Sequence, residues 1–578
     1  MIPRLLLLAL LATGQGAPEP DRSPWDLALS DDGAWALTAN AGSGSASLVD
    51  LAAGKVAAEV PAGKRPFAAA LSGKRAVVTN LRSGSITLLE VDPPRLSVVA
   101  EIPVGSEPRG VALSKDGKKA YVALAGEDAV VALDLASRKE SSRAPSGDEP
   151  WGVVLSPDGS RLAVSNALSR TVSVHDAATL ERLYTVAMRG HNLRRLAASP
   201  DGEWAYVANI AERGSPTTKD NIDRGWIVGN RLSRIPLRAE GPREAITLDP
   251  RGKAVGDLDG VAASSDGSLL AVAAGGTHEL LLLGLPLPFL AFGGPGDHIE
   301  PALLRDRAKF RRVPLGGRPL GLSFTADGAR VIVANHLLNA VQVVDVASGT
   351  LAKSIPIGGP LEPSLVRRGE AVFYDAGRSF NQWYSCHSCH VDGHTNGATF
   401  DTLNDGRYGN QKKTLSLRGV ARTGPWTWHG WQSELRTSLA HSMKTTMQGP
   451  EPSAADLDAL EAFVRTLDFP PPPAPPGEAA RRGEAVFKAK GCDTCHAGPD
   501  YTSDEVYVVG LESPQDAHKG FNPPPLRGVG TRNPYLHDGR ARTLEEVLLK
   551  HHRSSKMTGQ PDPGDAELAD LIAFLKSL

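Results

Sequence analysis

Two pentapeptides concentrate the reactive side chains of this sequence: Cys386-His387-Ser388-Cys389-His390 and Cys492-Asp493-Thr494-Cys495-His496. Each reads C-x-x-C-H, the attachment signal for c-type haem. Two thiols three positions apart can each form a thioether with a vinyl group on one porphyrin edge, and the adjoining histidine, His390 or His496, then offers its imidazole to the iron. A C-x-x-C pair alone also suits a disulfide, half a zinc site or a redox motif. Here all 4 cysteines lie in the two pentapeptides, and both copies end in His. Cys389 and Cys492 are 103 positions apart, far more than the roughly 15–20 that separate the pairs of a zinc ribbon. The spacing therefore predicts two covalently bound haem c groups.

The opposite face of each iron needs its own reading, and a duplication helps. Arg367–Phe373 recurs letter for letter as Arg481–Phe487, and Leu417–Val420 recurs as Leu526–Val529. Counting back from the last helix sets Met447 against Met557 with a one-residue gap, which makes these two the distal candidates. A thioether ligand raises the potential of an iron and suits electron relay, although filling a core is the ordinary fate of Met. The rivals are His441 and Met443 in the first copy and His551 and His552 in the second. The segments Thr423–Gly430 and Arg532–Gly539 occupy matching places, and their aromatics, Trp428 and Tyr535 among them, are expected to wall the haem pockets.

Each copy that must position these groups runs helix, C-x-x-C-H, loop, Leu-Arg-Gly-Val, aromatic-Gly segment, helix, terminal helix. The last helix keeps Leu568, Leu571, Phe574, Leu575 and Leu578 on one face, as a buried amphipathic helix does. The first copy spans residues 362–469 and the second 478–578, both reading as all-α cytochrome c domains. A stiff polyproline linker, 470–477, separates them.

Residues 23–360 repeat. Pro24, Pro66, Pro108 and Pro150 are 42 apart, as are Asp50, Asp92, Asp134 and Asp176. A period of this size points to a propeller or solenoid. Asp-Gly pairs at 32–33, 116–117, 158–159, 201–202, 266–267 and 327–328 separate short apolar runs, a strong hairpin signal. Four such strands make one blade. Seven units open near Pro24, Pro66, Pro108, Pro150, Asn192, Leu258 and Pro319, with insertions at about 211–250 and 285–310. The expected fold is a multidomain β + α chain: a seven-bladed β-propeller followed by two tandem all-α cytochrome c domains. His191, His278, His298 and His336 are scattered through the repeats and read as structural, His298 alone sitting on a loop long enough to reach towards a haem.

The chain has 578 residues, enough for several domains, and a net charge of −2 from 63 basic and 65 acidic residues. That balance gives no footprint for nucleic acid or an anionic membrane. Arg4, the apolar run Leu5–Ala12 and the small residues that follow read as a secretory signal peptide over 1–17, too short to span a bilayer. Leu280–Phe292 is the next most apolar stretch, and Gly and Pro interrupt it. No membrane span is expected, and the location is periplasmic or secreted.

At Ser-Pro-Asp-Gly, Ala-Val-Ser-Asn and Val-Ser-Val-His-Asp the repeat resembles the YVTN-type β-propeller family. Residues 362–578 resemble the dihaem bacterial cytochrome c peroxidase and MauG-like family, through Pro-Pro-Leu-Arg-Gly-Val, Pro-Tyr-Leu-His-Asp-Gly-Arg, Thr-Leu-Glu-Glu-Val and Leu-Ile-Ala-Phe-Leu-Lys-Ser-Leu. The resemblance implies one haem that receives electrons, another that meets hydrogen peroxide, and a calcium ion between the domains. It carries over Cys386, Cys389, His390, Cys492, Cys495 and His496 as haem ligands. It also asks for an acid, preceded by Gln and Pro, over the open haem, which makes Glu451 the catalytic candidate, near Gln448, Pro450 and Asp456. The expected function is an exported dihaem electron-transfer oxidoreductase. Its partner would be a small cytochrome c or cupredoxin, and the propeller would dock a partner or substrate. The alternatives are a non-catalytic electron carrier, or a dehydrogenase with its active site in the propeller channel. The sequence leaves the oligomeric state open.

Overall fold

The computed structural model describes residues 19–291, 296–470 and 476–578, so the expected signal peptide and the middle of the polyproline linker lie outside the described residues. Seven four-stranded antiparallel sheets follow one another along the front half. The first is typical: Pro24–Leu29, Trp35–Asn40, Ser45–Asp50 and Lys55–Pro61. The first strands of successive blades pack side by side, and Pro319–Phe324 of the seventh lies against Pro24–Leu29 of the first, closing the ring. Closure packs the first and last blades face to face, as every neighbouring pair is packed.

The repeated residues explain the blade. At the first hairpin of six of the seven repeats an Asp carboxylate ties the turn together. Asp32 Oδ1 accepts from Ser30 Oγ at 2.5 Å and from Ala34 N at 3.0 Å, and Gly33 adopts a positive φ of 66°. In five blades an Asn (Asn40, Asn80, Asn166, Asn209 or Asn335) stands at or near the end of the second strand, and its side chain latches to the third strand. Asn40 Nδ2 donates to Ser45 Oγ and Ser47 Oγ, at 3.0 and 2.8 Å, and Asn80 Nδ2 donates to Ser85 Oγ and Thr87 Oγ1 at 3.1 and 2.9 Å. On the axis Trp25, Phe67, Trp151 and Leu320, from four different blades, form one apolar cluster.

One boundary differs from the expectation. Residues 211–250 are not all insertion, because Val228–Pro236 and Glu244–Thr247 are the third and fourth strands of blade five. Gly229, Asn230 and Arg231 break the apolar alternation that marks a strand. The true insertion carries a short helix, Lys219–Asp223. Ile222, Ile227 and Val228 from this region share a core with Trp383, Tyr384 and Phe400 of the first cytochrome copy, so it works as an arm gripping that copy.

In each copy the first helix crosses the last: Leu365–Phe373 against Ala454–Val464, and Glu478–Ala489 against Asp565–Ser577. Gly369 and Gly483 make the crossings possible. A Cβ at Gly369 would lie 1.8 Å from Ala459 O, and one at Gly483 would lie 1.9 Å from Asp570 O. Phe373 meets Phe463 at 5.3 Å and Phe487 meets Phe574 at 5.4 Å between ring centroids, beside the two crossings. Among the described residues no helix is long and apolar enough to cross a membrane.

Candidate haem centres

The first C-x-x-C-H is held as a short helix, Cys386–Cys389, with Ser385 as its cap. Ser385 Oγ accepts from His387 N at 3.1 Å, and Ser388 Oγ accepts from Ser385 N at 3.0 Å. Both hydroxyls then donate to the carboxylate of Asp257, a propeller residue. Two more propeller side chains join them. Asn192 Nδ2 donates to Ser388 O at 2.8 Å, and Arg194, itself paired with Asp392 at 3.1 Å, reaches His387 Nε2 at 2.6 Å. His390 Nδ1 hydrogen-bonds Leu415 O at 2.8 Å, which fixes the ring and leaves Nε2 for a metal. Burial pushes the His390 imidazole down to about 4, so it is neutral, as a metal ligand must be.

The second motif starts at Gly491, whose φ of 71° turns the chain into a short 3₁₀ helix, Cys492–Thr494. His496 Nδ1 bonds Tyr501 O at 3.0 Å, repeating the arrangement of His390. Burial holds the His496 imidazole at about 4 as well, with the nearby His552 adding to the effect. Cys492, Cys495 and His496 line a cavity of about 320 Å³ that is otherwise mostly apolar, walled in part by Leu526, Val529 and Leu571. His552 and Met557 both line it, and the His552 ring faces His496 with 6.4 Å between centroids and 78° between planes. Burial lowers the His552 pKa too. The residues present fit a haem: paired thiols, an oriented neutral imidazole and an apolar chamber. The thiols of Cys386 and Cys492 are pushed up by burial to about 12 and about 11, so neither is a free thiolate in the folded chain.

The other candidates fall in distinct places. Met447 is buried, with its Sδ 3.9 Å from Cys386 Sγ inside the first crevice. It ends a π-turn, Ser442–Thr446, and its N–H bonds Ser442 O. His552 ends the matching π-turn, Val547–His551, and its N–H bonds Val547 O. By fold, then, Met447 corresponds to His552, whereas sequence counting had set it against Met557. Between the second turn and its last helix the chain inserts a short helix, Ser554–Met557, with no counterpart between Met447 and Ala454, and a count taken back from the last helix lands on that insert. Met443 is buried in the same core as Met447, and His441 is spent on Asn404 O at 3.1 Å. His551 belongs to the second π-turn. Glu451 is not over a haem: its side chain is 70% exposed and pairs with Lys444 at 2.7 Å. Asp456 is bound by Arg378 at 2.7 and 3.1 Å, so neither acid is free to act on a substrate in the crevice.

His298 bonds Asp223 O at 2.7 Å and His191 bonds Glu212 at 2.9 Å, both within the propeller. The calcium ion implied by the resemblance meets no carboxylate cluster: among the described residues no group of three or more His, Cys, Asp or Glu is placed to hold a metal. The two copies are joined instead through Lys413. Its ammonium donates to Arg532 O at 2.6 Å, its N–H to His537 O at 2.7 Å, and its carbonyl accepts from Trp428 Nε1 at 2.7 Å. Burial, with Arg532 nearby, pushes Lys413 down to about 7. Trp428 and Lys413, both from the first copy, line the second cavity.

Sequence reasoning missed the propeller's share of the first centre. Ser23, Arg65, Glu107, Glu149, Asn192 and Asp257 occupy one equivalent position in six blades, with φ between 49° and 56°. Four of them meet the cytochrome copy directly: Ser23 through Arg367 at 3.0 Å, Glu107 through Arg418 at 3.5 Å, and Asn192 and Asp257 through the haem loop. The available signal was a position that varies within an otherwise constant repeat.

The fold and these centres define a c-type cytochrome region built onto a seven-bladed β-propeller, a haem electron-transfer oxidoreductase with covalently bound haem c. Residues 480–578 match the family described as Cytochrome c. The chain is similar to hydrazine synthase subunit gamma of Kuenenia stuttgartiensis, 28% identical over 279 residues, covering 38% of this chain and 79% of that protein. It is also similar to methylamine utilization protein MauG of Methylorubrum extorquens, 26% identical over 288 residues, covering 39% and 80%. Cytochrome c551 peroxidase of Nitrosomonas europaea is 27% identical over 112 residues, covering 17% and 33%. A solved structure of Kuenenia stuttgartiensis hydrazine synthase shares the fold, with a TM-score of 0.51 and 24% identity over 58% of this chain and 99% of that one.

Proposed function

We propose that this protein is an exported dihaem cytochrome that passes single electrons between its two centres, with the propeller as the rigid seat of the first. The observation that carries the reading is the pair of imidazoles, His496 and His552, facing each other 6.4 Å apart across an apolar cavity. Two metal–imidazole bonds of about 2 Å each, with the half-widths of two rings, span such a gap. The duplicated fold extends the argument: Met447 occupies the equivalent position against His390. Haem, when bound, supplies one-electron chemistry at iron. Cys386 with Cys389 and Cys492 with Cys495 would anchor it, and His390 with Met447 and His496 with His552 are the side chains that would hold its iron.

A thioether ligand sets a higher potential than a second imidazole. With haem bound, that difference would favour electron flow from the second centre towards the first, and Trp428 and Lys413 of the first copy line the second cavity. A small cytochrome c or cupredoxin delivers the electrons at the second centre. There Val508, which lines the cavity and is 76% exposed, and Val506, 42% exposed, offer an apolar landing patch. The protein works in the periplasm or outside the cell.

Pyridine haemochromogen analysis should give two haem c per chain. Near-infrared magnetic circular dichroism of the ferric protein should show one thioether–imidazole and one bis-imidazole centre, both low-spin. A single haem, or a high-spin second iron, would refute the proposal. A second reading, peroxide reduction at the first centre, is favoured by the similarity to a protein named cytochrome c551 peroxidase. Rapid peroxide consumption by the half-reduced protein would select it.

A further inference from the structure

Where the propeller axis meets the first cytochrome copy, the chain crowds guanidinium groups that it does not neutralise. Arg65, Arg82 and Arg418 line a cavity of about 590 Å³ whose apolar sides include Trp25, Tyr374 and Phe469. Arg418 has Glu107 at 3.5 Å, but among the described residues neither Arg65 nor Arg82 forms an ion pair. The carboxylates on the cavity wall are committed elsewhere: Glu370 to Arg367 at 2.7 Å, Asp392 to Arg194 at 3.1 Å, Asp468 to Arg422 at 2.9 Å and Asp21 to Arg367 at 3.6 Å.

Two residues that line this space carry donors without a partner. Trp25 is only 1% exposed and its Nε1–H has no partner. Arg82 spends one nitrogen on Asp468 O at 3.3 Å and leaves Nη1 unpaired. The charge imbalance shows in the acidities. Burial pushes Arg82 down to about 10, and the charges of Arg418 and Arg65 add to the effect. Burial would raise Glu107, yet Arg418, Arg109, Arg82 and Arg65 together hold it below the usual carboxylate range. Like charges at low dielectric repel strongly, and a half-buried cation without a counter-ion is costly. Paired guanidinium forks match the oxygens of a carboxylate or oxyanion. The volume falls in the range of small-molecule pockets, about 300–1,000 Å³.

We propose that this cavity is a binding site for a small anion, an organic carboxylate or an inorganic oxyanion, gripped by Arg65, Arg82 and Arg418 with the Trp25 indole as a further donor. The site stands whether or not the proposed function holds. It is nevertheless coupled to the first centre, because Asp392 lies on its wall two residues beyond His390 and is tied through Arg194 to His387. Negative charge placed there favours the ferric state of the first centre.

The test is calorimetric titration of the holoprotein with sodium phosphate and, separately, sodium succinate at constant ionic strength. One or both should bind saturably with one site per chain, and the anion that binds names the class. The double variant Arg65→Gln/Arg82→Gln should bind at least tenfold more weakly while keeping the wild-type haem spectrum. Arg182→Gln, on an exposed outer strand, should bind like wild type. A redox titration should show the binding anion lowering one of the two midpoint potentials in wild type but not in the double variant. Absence of saturable binding with both anions, or equal affinity in the double variant, would overturn the site.

Discussion

Asp257 does for the first haem loop what no residue of the cytochrome copies does: it accepts from both serine hydroxyls that shape Cys386–Cys389. Truncating it leaves two buried donors unsatisfied, and hydrogen bonds to a charged group contribute about 1.5–3 kcal/mol each. Asp257→Ala should lower stability by at least about that much for one bond, read by denaturant titration in the Soret band, and should perturb the first haem spectrum while leaving the second alone. At the second centre His552 and Met557 can be told apart. His552→Ala should leave that iron high-spin and rescuable by added imidazole, whereas Met557→Leu should leave its optical spectrum unchanged. The attaching residues were legible in the sequence because the chemistry fixes their spacing. Asp257 was not, because its partners lie 128 and 131 positions away and only the ring of blades brings them together.

At the scale of elements, the repeated Arg-Arg-Gly-Glu-Ala-Val-Phe marks a helix that must approach another backbone to touching distance. A helix-interior Gly normally costs about 1 kcal/mol relative to Ala, so its double occurrence already signals a packing demand. Gly369→Ala and Gly483→Ala should each destabilise rather than stabilise, by about 1–3 kcal/mol or more, because the added methyl meets a carbonyl oxygen that cannot retreat without separating the helices. Thermal melts of the two variants would show it, and a rise in melting temperature for either would mean the crossing is looser than described. The blades were legible because six of the seven carry the Asp-Gly turn and five carry the Asn of the second strand. Blade five was obscured where its third strand carries Gly229-Asn230-Arg231, residues chosen for contact rather than for alternation: Asn230 Nδ2 bonds Asp249 at 3.0 Å under the gripping arm. The correspondence of Met447 with His552 was not legible, since the π-turns that set them in register have no sequence signature.

For the whole molecule, the question is how firmly the propeller holds the cytochrome half, and two histidines make the answer depend on pH. His278 Nε2 meets Asp375 at 3.2 Å, and His336 Nε2 meets Glu370 at 2.8 Å, each bridging the two halves. They titrate in opposite senses. Burial opposes charge on His278, but its hydrogen bond and attraction to Asp375 prevail and raise its pKa above 6.5. Its contribution is therefore complete below 6.5 and is lost as pH rises through the higher folded value. His336 is pushed down from 6.5 to about 4, chiefly by burial, so its contribution is present above 6.5 and is lost as pH falls towards 4. Asp375 lies below its ordinary 3.8 and withdraws its share only in stronger acid. The grip should thus be strongest near pH 6.5 and weaken on both sides. Wild type minus His278→Gln, compared by thermal melting across the pH range, should show a stability difference that shrinks above 6.5 and is flat just below it. Wild type minus His336→Gln should shrink below 6.5. If the two difference curves slope the same way through neutrality, the histidines do not bridge the halves in the protonation states assigned to them, and the propeller is held by its apolar arm and its ring of loop residues alone.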